Sequence, residues 1–242
     1  MSTMCETCPL HKSELFQDVP DDQRQITQRY KSGELRVEPG TPLMMEGSNA
    51  PQLYTALRGM GLRYTTLPNG NRQVINFIFP GDFIGLQAGV MGEMHHSVEA
   101  TTSMTLCVFD RSEFFNFFKS NPYRGYDITW MAATEEHFLG DSLATVGQRS
   151  AYEAVSWALY KLFQKGDALG MVNAAQMPLP FRQQDLADAL GLSLVHTNKT
   201  LAKLRSKQLA SWSDGKLQVN DCEALAEAAL VEHEPLKPRP FL

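Results

Sequence analysis

A chain of 242 residues with 43% hydrophobic and 20% charged side chains carries enough apolar material for two compact cores and too regular a composition for wholesale disorder. Its net charge of −5 excludes blanket attraction to nucleic acid. No apolar run reaches the ~20 residues that span a bilayer, so a cytoplasmic protein without a membrane partner is expected.

In chain order, residues 1–14 form a cysteine-containing segment built on Cys5-Glu6-Thr7-Cys8. In a reducing compartment the four cysteines (Cys5, Cys8, Cys107, Cys222) read as buried small residues or metal ligands rather than as a disulfide framework. Over 15–120 short extended runs alternate with glycine and proline, as in Leu53-Tyr54-Thr55-Ala56-Leu57 and Val74-Ile75-Asn76-Phe77-Ile78-Phe79. Regular short strands with frequent turn signals predict an all-β barrel. Pro68-Asn69-Gly70-Asn71 supplies a hairpin turn.

Between 121 and 149 the period becomes helical: Ile128, Met131, Leu139 (or Phe138), Leu143 and Val146 recur through a stretch with no proline. A helix of roughly 25 residues, about 38 Å long, exceeds what one small domain needs and predicts a dimerisation helix. The other reading is that the stripe packs on its own barrel.

Residues 150–224 read as a winged helix-turn-helix. A helix carrying Val155, Leu159 and Leu162 precedes Met177-Pro178-Leu179-Pro180, whose prolines favour extended chain. A short helix over Arg182–Leu190, the turn Gly191-Leu192-Ser193 and a second helix from Leu194 to about Lys207 follow, with Ala187 at the crossing and Ser193 as cap. Asp214-Gly215, between two short runs, predicts the hairpin of a wing. Residues 225–242 complete the chain as a tail.

Positive charge concentrates between Phe181 and Ala210, where Arg182, Lys199, Lys203, Arg205 and Lys207 outnumber Asp185 and Asp188. A second helix seated in a major groove would present Leu194, Val195, Asn198 and Lys199 on one face. Asn198 suits adenine, Lys199 suits guanine or phosphate, and Val195 suits a thymine methyl. Arg182, Ser193, His196, Lys203, Arg205 and Lys207 are candidates for phosphate contacts, which position a protein without reading sequence.

The order barrel, long helix, winged helix-turn-helix resembles the Crp/Fnr family of bacterial transcription regulators. The resemblance rests on Glu46-Gly47, Leu53-Tyr54 and Gly59, on Pro80-Gly81-Asp82-Phe83-Ile84-Gly85, and on Gln184 to Ser193. It implies an α+β chain with a cyclic-nucleotide-binding-like jelly roll, a homodimer joined through the long helix, a palindromic operator in double-stranded DNA and contact with RNA polymerase. Relatives that bind cyclic nucleotides hold the phosphate with an arginine, whereas here the corresponding stretch is Gly85-Leu86-Gln87 and His95-His96-Ser97. Without that bidentate clamp cyclic AMP is disfavoured. Val195 and Lys199 also replace the glutamate and arginine of many relatives, so the usual family operator is not expected.

Oxygen-sensing relatives hold an iron–sulfur cluster with three N-terminal cysteines and one barrel cysteine. The resemblance therefore raises Cys5, Cys8 and Cys107 with His11 or Glu14 as ligands, one cysteine short of the usual four. Redox-active thiols, cysteines without chemistry, a small organic ligand in the barrel and constitutive DNA binding are the alternatives. Catalytic motifs are lacking, so no enzyme is expected. The competing function is a ligand-binding regulatory subunit acting through protein partners.

Overall fold

The computed structural model describes residues 2–242, which fall into two compact units. The first comprises residues up to Gly70, Ile75–Glu135 and, from the far end of the chain, Pro238–Leu242. Two 3₁₀ turns, Cys5–Thr7 and Pro9–Lys12, open it. Then come α1 (Asp21–Tyr30), β1 (Lys31–Val37), β2 (Pro42–Met44), β3 (Gln52–Arg58), β4 (Gly61–Thr66), β5 (Arg72–Ile78), β6 (Phe83–Ile84), α2 (Leu86–Met91), β7 (Ser97–Ala100), β8 (Met104–Asp110), α3 (Phe114–Ser120) and the first half of α4 (Pro122–Gln148).

The strands form two four-stranded sheets, ordered β1-β8-β3-β6 and β2-β7-β4-β5. Buried side chains from both fill the core, among them Leu53, Leu62, Ile84, Val98 and Leu106. Paired sheets of short antiparallel strands satisfy the backbone while burying one face of each. In the Pro80-Gly81-Asp82 turn Gly81 has φ +87°, and a Cβ there would collide with the Phe16 ring; glycine is what lets the chain pass.

The second unit comprises Asn71–Val74 and Glu136–Lys237. It holds the second half of α4, α5 (Ala151–Ala168), β9 (Gln176–Pro178), α6 (Gln183–Leu190), α7 (Leu194–Ser206), β10 (Ala210–Ser213), β11 (Lys216–Val219) and α8 (Cys222–Ala228). Ser150 and Glu153 cap α5 reciprocally: Ser150 N–H donates to Glu153 Oε2 at 2.7 Å, and Glu153 N–H to Ser150 Oγ at 3.4 Å. Val155, Leu159, Leu179, Leu186, Leu204, Leu217 and Leu225 make the core. The small sheet runs β10-β11-β9, and Trp212 closes it by donating its indole N–H to the Leu179 carbonyl at 3.0 Å. Among the described residues no helix is long and apolar enough to cross a membrane.

Candidate nucleic-acid interface and thiol pocket

The α6–α7 pair is turned by Gly191 at φ +65°, a conformation open to glycine without strain. Ala187, fully buried, lets the helices approach. Ser193 caps α7, its hydroxyl accepting from His196 N–H at 3.2 Å. Across the wing Asp214 and Gly215 have φ +52° and +69°, the paired positive values of a tight hairpin.

The two faces of α7 divide cleanly. Thr197, Thr200, Leu201 and Leu204 are buried, and both threonine hydroxyls donate to the carbonyl one turn back. Val195 is 65% exposed, and His196, Asn198, Lys199, Lys203 and Arg205 are exposed with it. The side chains expected to read bases therefore share one open face. Lys203 and Lys207 lie over the Tyr152 ring at 4.6 and 5.0 Å, a cation–π contact that orients them.

Arg182, expected to meet phosphate, is 65% exposed in its side chain yet engages Asp185. Its NH2 and Nε donate to the carboxylate at 2.7 and 3.1 Å, and its backbone N–H donates at 2.9 Å. Arg72 donates to the same buried carboxylate. Burial alone would raise the Asp185 pKa, but the Arg182 hydrogen bonds outweigh it and hold the carboxyl below its ordinary value.

The apolar stripe of α4 divides as well. Ile128 and Met131 are buried. Leu139, Leu143 and Val146 are exposed at 44%, 75% and 48%, a run of apolar side chains facing solvent in a single chain.

Near His96, in the stretch that corresponds to the phosphate-holding residues of cyclic-nucleotide-binding relatives, polar groups of the chain pair with one another. Arg63 pairs with Glu135 at 2.9 Å and donates to the Phe83 carbonyl at 2.6 Å, and Asn76 donates to Glu135 at 3.0 Å. Burial, reinforced by Arg63, lowers the His96 pKa to about 4. His96 is therefore neutral at pH 7 and carries no charge to hold an anion.

The three cysteines of the first unit line one cavity of about 30 Å³ together with His11, Lys31, Thr55, Arg124, Phe241 and Leu242. That is room for about one or two water molecules. Cys5 and His11 come from the two 3₁₀ turns, Cys8 from the extended residue between them, and Cys107 from the middle of β8. Lys31 Nζ donates to the Thr3 carbonyl at 2.6 Å and Glu34 Oε1 at 2.9 Å. Burial pushes the Cys107 thiol up to about 11 although Lys31 pulls the other way, and burial likewise raises Cys5 and Cys8. Three buried polar atoms in the cavity lining lack a partner: His11 Nδ1, Thr55 Oγ1 and Arg124 Nε.

An iron–sulfur cluster does not fit this arrangement. Among the described residues no three cysteine, histidine or carboxylate side chains are placed to hold a metal ion, and Glu14 is exposed. Cys222, at the start of α8, belongs to the other unit. Lys31, Thr55, Arg124 and Phe241 were not legible as members of one site. The one available signal was the pairing of lone buried-type cations with apolar neighbours, as in Lys31 beside Tyr30 and in Pro238-Arg239-Pro240-Phe241-Leu242.

Comparison with known proteins places this geometry. Residues 34–121 match the cyclic nucleotide-binding domain and residues 154–228 the Crp-like helix-turn-helix domain. The chain is 31% identical over 193 residues to the nitrogen fixation regulation protein FixK of Bradyrhizobium diazoefficiens, covering 78% of this chain and 80% of that protein. It is 31% identical over 175 residues to the transcriptional activatory protein AadR of Rhodopseudomonas palustris, covering 72% of each. The structure of FixK2 from Bradyrhizobium japonicum superposes with a TM-score of 0.73 at 21% identity, covering 83% of this chain and 97% of that one.

Proposed function

The chain belongs to the Crp/Fnr family of transcription regulators, DNA-binding proteins with an N-terminal sensing domain and no enzymatic activity, and from that premise we propose that it acts as a homodimer reading a palindromic operator. Val195, Asn198 and Lys199 contact base edges, while Ser193, His196, Lys203, Arg205 and Arg182 meet phosphate. The exposed apolar run Leu139, Leu143 and Val146 joins two copies of α4, and two-fold symmetry sets the half-sites about one DNA turn, roughly 34 Å, apart. The bound dimer contacts RNA polymerase and activates transcription, a direction supported by the printed role of AadR.

Sensing is assigned to the cavity of Cys5, Cys8 and Cys107 beside His11. The observation that carries the DNA reading is the open face of α7, where Val195, Asn198 and Lys199 are exposed while the opposite face is core. The test is selection of a binding site from random duplexes, followed by affinity measurement with Asn198→Ala. Loss of a bidentate adenine contact weakens the selected site by about 1–3 kcal/mol per half-site and relaxes preference at one position. A variant with unchanged affinity and unchanged preference would remove Asn198 from the reading face.

A further inference from the structure

Pro238–Leu242 are the most elaborately fixed part of the tail. Pro238–Leu242 cluster with the first unit, whereas the residues before them cluster with the second. Phe16 and Arg239 form a parallel bridge, with Gln17 N–H donating to the Arg239 carbonyl at 2.9 Å and Arg239 N–H to the Leu15 carbonyl at 2.8 Å. The Arg239 guanidinium donates to Asp82 Oδ1 at 2.6 Å and lies over the Phe16 ring. Arg124, itself 3% exposed, donates to the Phe241 carbonyl at 2.7 Å. The Phe241 ring packs against His11 and Phe16 with centroids 5.1 and 4.7 Å apart.

Phe241 and Leu242 are thus the cover of the three-thiol cavity, and both line it. Beneath them the cavity surface is largely apolar but is interrupted by three polar atoms that are not satisfied. Thr55 Oγ1, in a residue 1% exposed, and Arg124 Nε have no partner, and neither has His11 Nδ1. Buried polar atoms left without partners in a folded protein mark a place where a water or ligand belongs. An apolar cover over these three atoms closes a site that other groups would complete.

We propose that Pro238–Leu242 is a detachable plug on a cryptic modification site, the thiol of Cys107 with Cys5 and Cys8 at its rim, which takes small thiophilic electrophiles. With the plug seated, Cys107 is shielded; with the plug withdrawn, the cavity opens and the electrophile reaches sulfur. The thiol proton passes to solvent, the sulfur lone pair forms the new bond to the electrophilic carbon, and that carbon's double bond takes up a proton at its far end. The adduct fills the space that Phe241 vacates, so modification and plugging exclude one another. Three of the plug's five residues, Pro240, Phe241 and Leu242, are buried, a short terminal closure of the kind that opens locally without global unfolding. Upstream, His233 Nδ1 meets the Tyr160 hydroxyl at 3.1 Å and the Glu234 carbonyl accepts from Gln164, both within the second unit. The chain itself therefore ties the thiol site to the DNA-binding unit.

This proposal rests on the reading of the thiol cavity as the sensory site only for its consequence; its test reads the thiols alone. The reduced full-length protein, a chain ending at Lys237, and the Phe241→Ala and Arg239→Ala variants are labelled with N-ethylmaleimide, and the rate at each cysteine is followed by peptide mass spectrometry. Cys222, in the other unit, serves as the internal reference. Removing the plug speeds Cys107 labelling by at least about tenfold relative to Cys222, with smaller gains at Cys5 and Cys8, as expected for a lowered cost of local opening. Equal Cys107 rates in all four proteins, or a rise shared by Cys222, overturn the plug. Should the truncated chain lose its cooperative melt, the two point variants decide. Operator affinity of the unlabelled proteins is measured separately, so failure to bind DNA counts against the regulator reading and leaves the labelling result standing.

Discussion

Asp185 shows how one buried carboxylate holds the entry to the DNA-reading pair. It is 1% exposed and receives donors from the Arg182 backbone and side chain and from Arg72. Its folded pKa lies below the ordinary value of 3.8, so the stabilisation is complete above that value and fades as the pH falls through the lower, folded one. Asp185→Asn removes the charge and half the accepting capacity. The expected loss is about 2–3 kcal/mol in denaturant unfolding at pH 7, with the gap to the parent protein closing only in acid below the ordinary carboxylate range. A gap that stayed constant from pH 7 to the acid limit would show that charge is not what Asp185 contributes.

At the scale of elements, α4 carries two kinds of apolar residue that sequence periodicity treats alike. Ile128 and Met131 serve the core of their own unit, whereas Leu139, Leu143 and Val146 face outward. Leu143→Glu therefore leaves the fold of the isolated chain intact, since it replaces a 75% exposed side chain, but places a charge in the proposed dimer seam. Sedimentation at micromolar concentration is expected to show a shift from dimer toward monomer, by about 2–4 kcal/mol if two buried charges face each other. An unchanged dimer would relocate the seam.

The legibility of other elements follows the same logic. The wing was readable because Asp-Gly between short strands has few alternatives, and α7 because Ser193 can cap and Gly191 can turn. By contrast α1, over Asp21–Tyr30, buries little beyond Thr27 and is almost wholly polar, so no stripe announces it. The return of Pro238–Leu242 to the first unit depends on partners more than a hundred residues away, Arg124 and Asp82, and long-range contacts leave no local period to read. The thiol cavity was half legible for the same reason: Cys5, Cys8 and Cys107 stood out by residue type, while Thr55 and Arg124 are members only through the fold.

For the whole molecule, a net charge of −5 and a basic reading helix set opposing terms. Overall repulsion from DNA is screened over about 10 Å at 0.1 M salt, but the contacts proposed for Lys199, Lys203 and Arg205 would release counterions locally. DNA affinity should fall steeply with salt, and Arg205→Ala, which removes one phosphate contact per protomer, should flatten the slope of log K against log salt by about 1.8 per dimer. Asn198→Ala should leave that slope alone while lowering the line. Equal slopes for Arg205→Ala and the parent would remove Arg205 from the phosphate set.

The segregation of α7 into a core face and an open face has an evolutionary consequence. Thr197, Thr200, Leu201 and Leu204 carry the helix's share of the folding energy, while Val195, Asn198 and Lys199 carry almost none. Exposed substitutions away from caps and core cost within about 0.5 kcal/mol. Descendants of this chain can therefore drift to new operators through the outward residues alone, with the duplicated gene never passing through an unfolded intermediate. A lineage can rewire its regulatory circuits while the scaffold beneath stays as it is.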